Sequence, residues 1–142
     1  MGMNTAEADV RRIAVCYPTE SLSCQVAQWA GEHDDCTVEP VFARSVLEIR
    51  RSLQGADMVV IDATDDHAQA IDAFSQSIAR LGPGRVTVYT ERMHEGLELF
   101  VRKQGSWLLL GPLTHLEWEG LFSRTLEMIP QGQAQPPRRR AA

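Results

Sequence analysis

The feature that most constrains this chain is an alternation, repeated five times, of a short apolar run with a longer amphipathic stretch. The runs are Arg12–Tyr17 (RIAVCY), Thr37–Ala43, Asp57–Ala63 (DMVVIDA), Arg85–Thr90 (RVTVYT) and Trp107–Leu110. Runs rich in Val, Ile and Leu without clean alternation suit strands buried on both faces of a sheet. The stretches between them space their apolar residues as helices do. Ser21 is placed to cap a helix that carries Leu22, Val26 and Trp29 on one face, and Ser45 a second with Val46, Ile49 and Leu53, ending at Gly55. Asp65 or Asp66 caps a third, with Ile71, Phe74, Ile78 and Leu81 inward and Gly82-Pro83-Gly84 as its stop. A fourth holds Met93, Leu97, Phe100 and Val101 and stops at Gly105. The last begins near Thr114, runs through Leu116, Trp118, Phe122, Leu126 and Ile129, and ends at Pro130.

Strand–helix–strand steps of this kind make right-handed crossovers, so the pattern predicts an α/β domain whose parallel sheet is covered on both faces. Five strands in about 130 residues fit the flavodoxin-like, doubly wound (βα)5 arrangement, with a five-stranded parallel sheet in the order 2-1-3-4-5. A chain of 142 residues accommodates one such domain. We place it at residues 11–130, after a flexible N-terminus (1–10) and before a disordered Gln/Pro/Arg tail (131–142) without large apolar side chains.

Composition narrows the functional classes. At 44% hydrophobic and 23% charged residues the chain is neither a disordered polymer nor a disulfide scaffold. No apolar run approaches the roughly 20 residues of a membrane-spanning helix, so no membrane role is expected. Met1–Asp9 has no apolar stretch of the secretory kind, which makes the cytoplasm the expected location. Cys16, Cys24 and Cys36 are an odd set without a CxxC, as expected of reduced thiols. The net charge is −5; setting aside Arg138, Arg139 and Arg140 of the tail leaves −8 on the rest. Phosphates are repelled by such a body, so nucleic acid is not the expected partner of the domain. The Arg138–Arg140 triplet reads as the solvated end of the tail, with contact to RNA, a membrane surface or an acidic protein as the alternatives.

In an open sheet of this order, ligands bind at the carboxyl ends of the strands, near the switch point between strands 1 and 3. That rim holds Cys16, Tyr17, Thr19 and Glu20, then Asp62, Thr64, Asp65 and Asp66. Thr90, Glu91 and Arg92 follow strand 4, and Gly111 and Pro112 follow strand 5. Asp62 ending strand 3, Thr90 ending strand 4 and a proline closing strand 5 together resemble a response-regulator receiver domain, over about residues 11 to 130. The resemblance implies that Asp62 stands at the phosphoacceptor position and Thr90 at the phosphoryl-sensing position. It also implies a cis peptide at Gly111-Pro112, where the family has Lys-Pro.

The departures point to a degenerate member, a pseudo-receiver. The acidic pair that holds Mg²⁺ in the family has no counterpart in Val15-Cys16-Tyr17-Pro18, and Gly111 replaces the lysine. Phosphoryl transfer to an aspartate needs a cation bridging carboxylate and phosphoryl oxygens, with further positive charge nearby. Mg²⁺ is therefore expected to bind weakly and no other cofactor is expected; Arg92 is the candidate to supply the missing positive charge, though nothing in the sequence aims it inward. The resemblance implies protein partners or a homodimer through the helix 4, strand 5, helix 5 face, where Phe100, Trp107 and Trp118 are the interface candidates. Core packing is the competing reading for these aromatics.

Other readings remain beside this one. Asp62 is equally suited to capping its turn or the next helix, and Asp65 and Asp66 to the first turn of a helix. A cation site from Glu20, Asp62, Asp65 and Asp66 is the metal alternative. Cys16, ahead of a loop and a helix, resembles the layout of sugar-phosphotransferase IIB domains and low-molecular-weight tyrosine phosphatases, whose thiolate is a nucleophile. Leu22 stands where the phosphatase loop has its arginine, and the competing reading is a buried strand cysteine. The expected function is a non-enzymatic signalling or scaffolding module; the alternatives are a phosphorylated receiver using Asp62 and a thiol enzyme using Cys16.

Overall fold

The computed structural model describes residues 10–127. The expected flexible N-terminus, the Ile129–Pro130 end of the last helix and the tail with Arg138–Arg140 lie outside these residues, apart from Val10. Strands β1 (Arg11–Cys16), β2 (Cys36–Val41), β3 (Met58–Asp62), β4 (Val86–Thr90) and β5 (Trp107–Leu110) alternate with helices. The helices are α1 (Glu20–Ala30), α2 (Val46–Ser52), α3 (His67–Leu81), α4 (Glu95–Lys103) and α5 (His115–Glu127), with a 3-10 turn at Pro83–Arg85. The strands form one parallel sheet in the order β2-β1-β3-β4-β5. Every residue of β3 and β4 is buried, as their apolar sequences require, while β2 and β5 are half-exposed edges.

β2 ends at Val41 rather than at Ala43. Its neighbour among the described strands is β1, whose last pair is Cys16 with Val41, and β1 stops because Tyr17 turns into the left-handed region at φ 53°. That conformation costs a tyrosine roughly 1–2 kcal/mol. The Tyr17 N–H donates to the Val41 carbonyl at 2.8 Å and its hydroxyl to the Ala43 carbonyl at 3.0 Å, which hold the turn.

The helix starts are set by side-chain caps. The cap of α1 is Thr19, not Ser21: its hydroxyl accepts from the Leu22 N–H at 3.2 Å, so the helix begins two residues earlier. Ser45 caps α2, and of the two aspartates it is Asp66 that caps α3. His94 caps α4 through Nδ1, which accepts from the Leu97 N–H at 3.1 Å. Thr114 and Glu117 form a reciprocal capping box for α5.

Two apolar layers flank the sheet. α2, α3 and α4 bury Ile49, Phe74, Leu97 and Val101 against one face. α1 and α5 bury Leu22, Val26, Trp29, Trp118 and Phe122 against the other. Trp118 is therefore core, not interface; it stacks on Phe122 at 5.3 Å and its indole N–H donates to Gln25 Oε1 at 3.0 Å. An indole that is buried needs such an acceptor.

α1 and its C-terminal turn are also tied to α5 by two crossed pairs. His33 Nε2 lies 2.9 Å from Glu119 Oε1, and His115 Nε2 lies 3.1 Å from Glu32 Oε1. His33 also stacks on Trp29, at 4.1 Å, and its Nδ1 contacts the Trp29 carbonyl. That carbonyl first, and then Glu119 against a partial loss of solvation, holds the His33 pKa above its ordinary 6.5. A raised pKa in the folded state gives stability that is complete below the unfolded value and is lost as pH rises through the folded one. The difference in Tm between the protein and His33→Gln is thus expected to be largest near pH 5.5 and to shrink toward about pH 8. A difference that grows with pH over this window would remove the pair as its cause.

Candidate functional site

Asp62 ends β3 at the rim where the switch point lies, and it is only 3% exposed. Its Oδ2 accepts from both the backbone N–H and the hydroxyl of Thr19, each at 2.9 Å, and its Oδ1 accepts from the Thr64 N–H at 2.9 Å. The carboxylate thereby ties the β1–α1 loop to the β3–α3 loop. Both of its oxygens are engaged within the chain, which is the turn-capping role carried by a long-range partner as well. A carboxylate so held is compensated for its burial.

The other rim residues do not converge on it as a metal or phosphoryl site would require. Glu20 and Asp65 are exposed, and Asp66 accepts the Gln69 N–H through Oδ1 as the cap of α3. Among the described residues no group of three or more His, Cys, Asp or Glu is arranged to hold a metal ion, and Glu20, Asp62, Asp65 and Asp66, the metal alternative, form no such group. Thr90 is buried with its hydroxyl turned onto its own loop, donating to the Arg92 carbonyl at 3.0 Å and accepting from the Arg92 N–H at 3.2 Å. Arg92 itself is exposed.

The peptide Gly111-Pro112 is cis, as the resemblance implied. What occupies the lysine's neighbourhood was not visible in the sequence. A Cβ built on Gly111 would collide with Cε2, Cζ and Oη of the Tyr89 ring, which is wholly buried. Tyr89 is held there by hydrogen bonds. Its hydroxyl donates to Glu91 Oε2 and accepts from Gln25 Nε2 at 2.9 Å. Gln25 Oε1 in turn accepts from the Leu113 N–H at 2.9 Å and from Trp118, and Ser21 donates to Glu91 Oε2 at 2.6 Å. Burial first, then the Glu91 carboxylate, pushes the Tyr89 hydroxyl up to about 12, so it remains a donor. The Ser21 hydroxyl, then Tyr89, holds Glu91 below the usual carboxylate range.

This network joins α1, β4 and the β5–α5 loop across the end of the sheet. Sequence reading passed over Gln25 and Tyr89. The available signals were a glutamine inside the apolar face of α1 and a Tyr-x-Glu pair, which places both side chains on one side of a strand.

Cys16 is buried in the layer beneath α2 and α3, among Val41, Ile61 and Ala63. Burial pushes its thiol up to about 12. A nucleophilic thiolate requires the opposite shift; the burial and the shift it causes match the reading of Cys16 as a buried strand cysteine. In the folded protein, alkylation at neutral pH is expected at exposed Cys24 and to reach Cys16 only with unfolding. Peptide mapping of a timed iodoacetamide reaction reads this directly, and early labelling of Cys16 would favour the thiol-enzyme reading instead.

Of the three interface candidates, Phe100 is half-buried, edge-on to Phe74 at 5.7 Å, and Trp118 is core. Trp107 is different: it stands 60% exposed on the β5 edge, with Leu99 and Leu110 also exposed on the α4–β5 side.

The sheet order, Asp62 at the end of β3, Thr90 at the end of β4 and the cis proline after β5 define a receiver-type fold within the flavodoxin-like class. Comparison with solved structures agrees. A protein described as pilus assembly-related from Burkholderia pseudomallei superposes with a TM-score of 0.64 at 19% identity, over 89% of this chain and 96% of that one. The BeF3-activated receiver domain of DrrB gives 0.62 at 15% identity, over 83% and 98%. The pilus assembly protein CpaE of Caulobacter crescentus gives 0.56 at 13% identity, over 78% and 88%. No family model matches the sequence, and no curated protein matches it. Among the described residues no helix is long and apolar enough to cross a membrane.

Proposed function

We propose that this chain is a pseudo-receiver: a signalling or scaffolding module of the response-regulator kind that works by protein contact, including a homodimer, and not by phosphoryl transfer. The observation that carries the reading is the state of Asp62, whose two carboxylate oxygens already hold Thr19 and Thr64. A phosphorylated receiver needs that carboxylate open to a cation and a donor. Tyr89, lying where a lysine from position 111 would pass, supports the same reading. The contact face is the α4–β5–α5 side, on which Trp107 and Leu110 leave apolar surface on an unpaired strand edge. Two of the similar structures are described as pilus assembly or pilus assembly-related proteins, and a multiprotein assembly is the setting this reading takes.

The test is light scattering of the purified protein with and without Mg²⁺ and an acyl-phosphate donor, followed by intact mass. The expected result is a dimer that ignores the donor and gains no phosphoryl mass, and that dissociates on Trp107→Glu. A phosphoryl adduct that Asp62→Ala abolishes would instead establish the alternative, a working receiver. A monomer under all conditions would remove the homodimer and leave contact with another protein.

A further inference from the structure

The opposite edge of the sheet carries a second apolar surface, unrelated to the β5 side. Phe42, Val46 and Leu47, at the corner where β2 passes into α2, are 65%, 41% and 56% exposed. Three large apolar side chains thus stand exposed within six residues at this corner. Beside them a cleft of about 380 Å³ opens at the carboxyl ends of β1 and β3, with Tyr17 and Phe42 on one side and Asp65, Asp66 and Gln69 on the other.

The cleft is fixed and negatively charged. Tyr17 is pinned by its two hydrogen bonds to the end of β2, so the wall it makes is preformed. Burial first, then the fields of Cys16, Asp72, Asp66 and Glu48, raises the Tyr17 hydroxyl pKa. The cation among the lining residues is Arg44, whose backbone N–H is taken by Glu48 Oε1 at 2.7 Å. Against it stand Asp62, Asp65 and Asp66 on the same lining.

We propose that this corner docks a segment of another protein that presents a lysine or arginine beside a large apolar side chain. The apolar group covers Phe42, Val46 and Leu47. The ammonium or guanidinium enters the cleft, where the Asp65 and Asp66 carboxylates accept its hydrogen bonds and the Phe42 and Tyr17 rings offer their faces. With one cation against three carboxylates on the lining, a cationic side chain is the occupant that complements this cleft. Since β2 and β5 are the two ends of the sheet, one molecule can hold this segment and the β5-side partner at once.

The experiment titrates the isotopically labelled full chain with a synthetic peptide of alternating lysine and leucine, followed by amide NMR. It is done at about 0.15 M salt, where distant charges are screened. A lysine–serine peptide of equal length and charge is the control. Saturable shifts confined to the amides around Tyr17, Phe42–Leu47 and Asp65–Gln69 are expected, with the control binding at least about tenfold more weakly. Phe42→Ser and Asp65→Asn, both at exposed positions and checked by circular dichroism, are each expected to weaken binding by about tenfold. Equal binding of the control, shifts elsewhere, or binding unchanged in either variant would overturn the proposal. So would movement of the same amides, without peptide, on replacing Arg138, Arg139 and Arg140 by alanine, since the occupant would then be the chain's own C-terminus.

Discussion

Trp118→Ala is expected to lower the unfolding free energy by about 3–5 kcal/mol, the largest loss from any single truncation considered for this protein. The indole is buried between Tyr89 and Phe122 on the α1–α5 side of the sheet, so its removal leaves a cavity that two stacked rings cannot collapse to fill. It also takes a donor from Gln25 Oε1, the atom that positions the Leu113 N–H. Against a total of about 5–15 kcal/mol for a domain, a loss of this size reaches a large part of the whole. Urea denaturation followed by circular dichroism measures it, with Trp107→Ala as the companion. That exposed residue is expected to change stability by no more than about 0.5 kcal/mol. Near-equal stabilities for the two variants would overturn the separation of core and surface tryptophans on which the interface assignment rests.

Gly111→Lys restores the residue type found in receiver domains at this place, and it is expected to damage the protein instead of reviving it. The new Cβ meets the Tyr89 ring, and that ring cannot give way. It is buried against Trp118 and held through its hydroxyl by Gln25 and Glu91. Overpacking of this kind costs about 1–3 kcal/mol or more. The variant is expected to melt earlier and to gain no phosphoryl mass with an acyl-phosphate donor. Combining it with Tyr89→Ala removes the obstacle, so the double variant is expected to lose less than the sum of the two single losses. Additive losses would show that residue 111 and the ring are not the clashing pair.

The fold was the most legible property of this sequence. Buried-on-both-faces runs such as DMVVIDA and RVTVYT have few alternatives once helix-length segments separate them, and the structure places both in the middle of the sheet. Boundaries were less so. Ser21 has the same chemistry as the true cap, Thr19, and only the hydrogen bond from Thr19 to Asp62, across 43 positions of sequence, shows why the earlier residue is held in the capping conformation. Trp118 and Trp107 both belong to amphipathic or apolar segments. Which one faces solvent depends on where α5 lies against α1, information that no local pattern contains.

By itself the sequence determined the class of fold, the order of its elements, the position of Asp62 and Thr90 on the functional rim, and the absence of an acidic pair and a lysine there. Those follow from periodicity and residue type, which are properties of neighbours along the chain. Only the tertiary structure decided what stands in their place. The Thr19–Asp62–Thr64 bridge, the Gln25–Tyr89–Glu91 network and the closeness of the Tyr89 ring to Gly111 join residues far apart in sequence. Whether a carboxylate is open or engaged, or a thiol reactive or inert, depends on such neighbours, because desolvation and hydrogen bonding act through space.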